Sequence, residues 1–311
     1  MNMKFALVAT AAFALTLGVT QAARAQAIDF SKVEVKTTDL GHKTYMMEGA
    51  GGNVTVAVGA DGVIMVDGEF AQMHDKLKAA VAALTNQPIK YLINTHFHGD
   101  HSGDDENFAK DGVIVVAQEN VKKRIAEGST NGLTGNKTPG LSGGAVPSKT
   151  YTNGSLTLKV KGRSAKVGHV PNAHTDGDSY VWFADANVLS TGDVMTIGRY
   201  PNSDFANGGS INGMISAVGQ YIAMTNAQTK VVPGHGSLTN QAGLKDYRAF
   251  LIAARDRIAK LIKAGKSEQE AVAAKPFADW DAKLGANDQA SGNFVRVVYN
   301  SLKHSTMSTI H

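Results

Sequence analysis

The sequence contains no cysteine. Disulfides, thiolate metal ligands and cysteine nucleophiles are therefore excluded, and the chain must be held by its core and by any metal it binds. Charge is sparse and nearly balanced: 31 Lys+Arg against 27 Asp+Glu in 311 residues, a formal net charge of +4. No basic run is dense enough to line a nucleic-acid groove, so no nucleic acid is expected as a partner. Long apolar runs are absent with one exception. Residues 5–19 are almost wholly apolar, with Lys4 before them and two small-x-small cleavage signals, Ala23-Arg24-Ala25 and Ala25-Gln26-Ala27, after them. That stretch is short for a bilayer span, and its layout is that of a secretory signal peptide over 1–25. The mature chain is then expected to be periplasmic or secreted, with no membrane span.

What is present is 43% hydrophobic residues, ordinary for a globular chain able to bury a sizeable core. Strand and helix signals alternate, which reads as an α/β fold. Residues 54–58 and 63–67 are apolar segments split by Ala60-Asp61-Gly62, a hairpin signal. Met73, Leu77, Val81 and Leu84 recur at helical spacing, as do Ile211, Ile215, Val218 and Ile222. Strands are expected at 91–94, 113–116, 156–160, 167–170, 180–183, 188–190 and 230–232, with Trp182 in the core, and a helix at 118–126. Residues 128–149, rich in Gly, Ser, Thr and Asn, read as a long loop near a site entrance. From about 240 the chain turns helical, with Leu244, Tyr247, Leu251, Ala254, Ile258 and Leu261 on one stripe.

The strand at 91–94 runs into Thr95-His96-Phe97-His98-Gly99-Asp100-His101. His96 and His98, two apart on an extended segment, point the same way and can share one metal. Gly99 permits a sharp turn, after which Asp100 and His101 aim at a second position. Imidazole and carboxylate ligands suit zinc without any thiolate, and accept iron or manganese as well. Three further candidates stand at strand ends: His174 in Asn172-Ala173-His174-Thr175, Asp193 in Thr191-Gly192-Asp193, and His235 in Pro233-Gly234-His235-Gly236. Layered α/β folds place ligand sites at such ends.

This set resembles that of the metallo-β-lactamase superfamily, from Asp67 to His235. The resemblance implies a four-layer αββα sandwich within 26–311, with a helical C-terminal extension. It also implies two zinc ions, one held by His96, His98 and His174, the other by Asp100, His101 and His235. Asp193 would bridge both, and Asp67 would brace the site from behind. In the superfamily's best-known antibiotic-hydrolysing subclass a cysteine stands where this chain has Asp193, and a lysine stands at the position of Thr196. The histidine-rich subclass shares His101 but usually lacks the bridging aspartate. That aspartate is similar to the one in glyoxalase II, lactonases and sulfatase-like members.

The implied activity is hydrolysis of a small molecule with an amide, ester or thioester carbonyl. Asp100 would orient a hydroxide shared by the two metals, giving β-lactam hydrolysis of a modest, promiscuous kind. The alternative is a lactonase or glyoxalase II-like thioesterase. A di-iron oxidoreductase is more distant, because no flavin domain accompanies the ligands. Arg199 and Tyr200, close behind Asp193, are candidates to hold substrate, Arg199 as a two-pronged clamp on a carboxylate. Residues 49–52 read either as a flexible flap or as a plain tight turn. His169 is expected to be hydrogen-bonded rather than a ligand.

Overall fold

Val54, Val56 and Val58 alternate with Thr55 and Ala57, and all five are buried. A strand covered on both faces has this near-continuous apolar character, and the surrounding layers explain why it is needed. The computed structural model describes residues 28–307, so the expected signal segment 1–25 lies outside the described residues. In chain order the strands are β1 (Lys36–Gly41), β2 (Thr44–Glu48), β3 (Val54–Val58), β4 (Val63–Val66), β5 (Ile89–Ile93), β6 (Ile114–Gln118), β7 (Gly128–Thr130), β8 (Lys137–Pro139), β9 (Lys149–Tyr151), β10 (Ser155–Val160), β11 (Arg163–His169), β12 (Ser179–Phe183), β13 (Val188–Ser190) and β14 (Lys230–Val232). The α-helices are α1 (His74–Ala82), α2 (Gly99–Ser102), α3 (Asp105–Lys110), α4 (Glu119–Glu127), α5 (Ile211–Met224), α6 (Gln241–Lys263), α7 (Glu268–Ala273), α8 (Ala278–Leu284) and α9 (Asp288–Met307).

One sheet has the order β1-β2-β3-β4-β5-β6-β9, the other β10-β11-β12-β13-β14. The first is antiparallel through β4 and parallel from there on. The second is antiparallel except for the parallel pair of β13 and β14. Ile64, Val66, Ile93 and Val116 face Leu158, Val167, Val181, Phe183 and Val232 in the core between the sheets. Their sequence neighbours Val63, Met65, Leu92 and Val115 point the other way, onto Leu77 and Val81 of α1. On the far side, Leu189 and Val231 meet Met214 and Val218 of α5, Leu244 and Leu251 of α6, and Phe294 of α9. The result is the αββα sandwich with a helical C-terminal region. A one-residue slip of β4 would exchange the inner and outer sets, so the alternation itself specifies the register. None of the helices among the described residues is long and apolar enough to cross a membrane.

Two features differ from the sequence expectation, and a third, β1, lies where no element was expected or excluded. Residues 128–149 are not featureless: β7 and β8 pair as a small antiparallel hairpin, with Asn131 Oδ1 accepting from the amides of Leu133 and Thr134 at its tip. β1 forms although most of its residues are exposed, because backbone pairing to β2 stabilises an edge whose side chains contribute little. Trp182 is half-buried, lying against the rim of the α5–α6 core rather than inside it.

Candidate metal centre

Every expected ligand stands just beyond a strand, at one end of the sandwich. His96 and His98 follow β5, and His98 precedes α2, whose first turn carries Asp100 and His101. His174 follows β11, Asp193 sits in the 3-10 turn Gly192–Val194 after β13, and His235 follows β14. These seven side chains form three overlapping groups, His96/His98/His174, His96/His101/Asp193 and Asp100/His101/His235, each with its ligand atoms within 4.8 Å of one another.

The facing atoms are specific. His174 Nε2 lies 2.9 Å from His98 Nδ1. His101 Nε2 lies 3.4 Å from His235 Nε2, and Asp100 Oδ2 lies 3.1 Å from His235 Nε2. Asp193 stands between the two sets: its Oδ1 is 3.2 Å from His101 Nε2, and its Oδ2 is 3.9 Å from His174 Nε2. His96 Nε2 and Asp193 Oδ1 are buried without any hydrogen bond. Buried polar atoms without partners are rare and ask for a reason. Several lone-pair donors converging on one another, two of them orphaned, fit divalent cations held by nitrogen and oxygen, and the chain offers no thiolate to compete.

The remote ring nitrogens are tied down. His101 Nδ1 is 2.9 Å from Asp67 Oδ2, and Asp67 also accepts from the amide and hydroxyl of Thr95 at 2.7 and 2.8 Å. Asp67 adopts a left-handed backbone, φ 61°, which turns its carboxylate back under the site. His174 Nδ1 meets the carbonyl of Asn202 at 2.7 Å, and His98 Nε2 meets Asp204 Oδ2 at 3.0 Å. Outer partners of this kind fix the ring tautomer and aim the inner nitrogen at a metal. Asp178, whose carboxyl burial pushes up to about 8, accepts from Thr175 N and Oγ1 and so ties the turn that carries His174.

Electrostatically the cluster is polarised. Burial opposes the charge on Asp193, but His101 beside it outweighs that and holds the carboxyl well below the usual range. Burial likewise opposes a proton on His101, and Asp193 and Asp67 overcome it, raising that imidazole well above its ordinary value. His96 moves the other way, pushed down by burial and by the His101 charge.

A cleft of about 500 Å³ opens beside His98, walled by Leu133 and Pro201 on one side and Phe294 and Val297 of α9 on the other. Arg199 lines this cleft, exposed. Tyr200 is placed differently from expectation. Its ring edges the cleft, but its hydroxyl donates to Asp281 Oδ1 at 2.5 Å, and the ring stacks on Phe294, so its polar end serves the helical tail and not a substrate. His169 stays outside the cluster, its Nε2 3.0 Å from the carbonyl of Asp176.

Residues 49–52 form no free flap. The amide of Gly52 donates to the carbonyl of Asp100 at 2.9 Å, and those of Ala50 and Gly51 donate to Glu69 Oε2 at 2.8 and 2.9 Å. Sequence reasoning missed Asp204, Asn202, Glu69 and Asn53. None of them lies in the histidine motif or at a strand end bearing a ligand, and only the three-dimensional contacts reveal them.

The fold has counterparts among known proteins. The solved structure of the DIM-1 metallo-β-lactamase superposes with a TM-score of 0.58 at 16% identity, covering 72% of this chain and 100% of that one. A metallo-β-lactamase from Pontibacter korlensis gives 0.56 at 19%, covering 70% and 99%. VMB-1 gives 0.57 at 21%, covering 71% and 98%. At such identities these likenesses concern the fold. No curated protein matches the chain. The family model described as the metallo-beta-lactamase superfamily matches residues 47–245, well over half of the sequence and every one of the seven clustered side chains. A sandwich whose loops gather histidines and aspartates at one end, matched over that length, belongs to the metallo-β-lactamase superfamily.

Proposed function

We propose that the protein is a two-metal hydrolase acting on a small molecule with an amide, ester or thioester carbonyl, with zinc as the metal. The observation that carries this reading is Asp193, whose two carboxylate oxygens face different ligand groups, Oδ1 toward His101 and His235 and Oδ2 toward His174. One carboxylate shared in this way suits two cations side by side, with His96, His98 and His174 holding one and Asp100, His101 and His235 the other. When bound, such cations supply Lewis acidity and lower the pKa of water toward about 7.

The chain's own groups do the rest. Asp100 Oδ2, partly exposed and held against His235 Nε2, accepts a hydrogen bond from the attacking water and orients it. The Leu133 and Phe294 walls exclude bulk water from an apolar part of the substrate. Arg199 makes no ion pair with any described residue and stands free to grip an anionic substituent. A carboxylate shared by two cations would hold them close, an arrangement that would suit ester and thioester carbonyls and leave β-lactam turnover modest. The apolar leader at 5–19 adds the proposal that the protein works after export, which N-terminal sequencing of the mature chain checks.

The test is a hydrolysis screen of the purified, zinc-loaded protein across β-lactams, lactones and thioesters. Turnover of more than one class is expected, with β-lactams far below the diffusional ceiling of about 10⁸ M⁻¹s⁻¹. Penicillin or carbapenem hydrolysis near that ceiling would overturn the broad specificity. Absence of turnover of any carbonyl substrate by the loaded protein would overturn the hydrolase itself.

A further inference from the structure

Just past β4, against the turn between β2 and β3, lies a fully buried carboxylate that the proposed reaction does not use. Glu69 is 0% exposed and has a left-handed backbone, φ 57°. One oxygen, Oε2, accepts the amides of Ala50 and Gly51, while Oε1 is buried with no partner. A buried, incompletely satisfied carboxylate is costly and persists where it specifies a geometry. What it specifies here is the course of residues 50–53. At Gly52 the turn comes so close to the site that an added Cβ would overlap the His101 ring, and the Gly52 amide holds the Asp100 carbonyl. One residue on, Asn53 reaches across to the other sheet. Its amide donates to Gly234 O at 2.7 Å, and its Nδ2 donates to Pro233 O and Gly236 O at 2.9 and 2.8 Å. These three carbonyls surround His235.

We propose that Glu69 and Asn53 are positioning residues that act through the 50–53 turn as a strut, setting Asp100 and His101 of one sheet against His235 of the other. The strut touches the Asp100/His101/His235 group and not the His98/His174 pair, which is braced instead by Asp204 and Asn202. It therefore governs one metal position selectively. This rests on the two-metal reading above for its metal readout, but not for its structural one.

The experiment measures zinc binding by chelator competition, and in parallel amide hydrogen exchange of the metal-free protein, for the wild type, Glu69→Ala, Glu69→Gln and Asn53→Ala. Outer partners of metal ligands are worth about 10–100-fold in affinity. Glu69→Ala should weaken one of the two ions by about tenfold or more and leave the other within about threefold, on the same scale. Glu69→Gln, which keeps an acceptor for the two amides, should recover most of the loss. In the metal-free protein, Glu69→Ala should raise exchange in peptides spanning 99–102 and 233–236 while those spanning 171–176 stay protected. If Glu69→Ala does not fold, Asn53→Ala carries the same test from the His235 side. Unchanged exchange at 99–102 and 233–236 overturns the strut, as does a Gln variant no better than Ala, since the effect would then be one of charge. A wild type binding fewer than two ions, with the exchange pattern as described, removes the two-metal reading and leaves the strut standing.

Discussion

The loop end of the sandwich and the helical tail obey different rules. In the tail, local sequence and structure agree at most positions, Lys275 with φ 44° and the unpartnered Tyr247 hydroxyl excepted. The stripe Leu244, Tyr247, Leu251, Ala254 and Ile258 is buried along α6, and α7 opens with a complete Ser267–Glu270 capping box. Phe277, Trp280, Phe250 and Phe294 pack ring against ring beside Tyr200. At the loop end, Asp67 and Glu69 take left-handed conformations, His96 Nε2, Asp193 Oδ1 and Glu69 Oε1 lie buried without hydrogen bonds, and imidazoles crowd to within 2.9 Å. Strain and unsatisfied polarity persist where the surroundings over-determine them, and they collect at functional sites. The contrast teaches that the tail is built for stability and the loop end for binding.

That contrast can be broken by substitution. The largest effect is expected for Asp193→Ala, which removes the one carboxylate facing both ligand groups. Hydrolysis should fall to assay background and zinc content to at most one ion per chain; retained activity would show that the bridging role is misassigned. Next comes Asp204→Asn, which keeps the shape but removes the charge beside His98 Nε2. A loss of about 10–100-fold in activity or zinc affinity is expected, with little change in melting temperature. A large drop in stability with unchanged zinc affinity would move Asp204 to the structural side of the comparison.

In the tail the signs reverse. Leu251 is 0% exposed in the α5–α6–α9 core, and Leu251→Ala should cost about 2–5 kcal/mol in urea unfolding of the metal-loaded protein. Its zinc stoichiometry should be unchanged, and altered stoichiometry would deny that the tail is separable from the site. The smallest effect concerns Glu270. Hydrogen bonds from Ser267 and the nearby Lys266 lower its carboxyl from the ordinary 4.5 to about 2. A depressed acid contributes stability that is fully present above pH 4.5 and is lost as pH falls through about 2. Glu270→Ala should therefore be slightly less stable than the wild type at neutral pH, with the difference vanishing near pH 2. A gap that persists below that pH would show that the contribution of Glu270 does not depend on its carboxylate charge.

How legible these regions were in the sequence follows the same division. The α6 stripe and the alternation in β3 and β4 are short-range patterns, and their burial is as the periodicity implies. The histidine motif was legible because four candidate ligands sit within six residues, and Asp193 and His235 because each ends an apolar strand. The braces were not legible. Asp204 meets His98 across 106 residues, and Asn53 meets the Pro233 carbonyl across 180, with no local pattern around either. The β7–β8 hairpin was hidden for a different reason. Its residues are mostly exposed and polar, so no apolar alternation marks strands held by backbone hydrogen bonds alone.

The proposed centre holds two metal ions through seven side chains, and the measurement that tests it most directly is the zinc content of the purified wild-type protein after supplementation and removal of free metal. Two equivalents per chain, falling to at most one in Asp193→Ala, is the predicted result. At most one equivalent in the wild type under those conditions would contradict it.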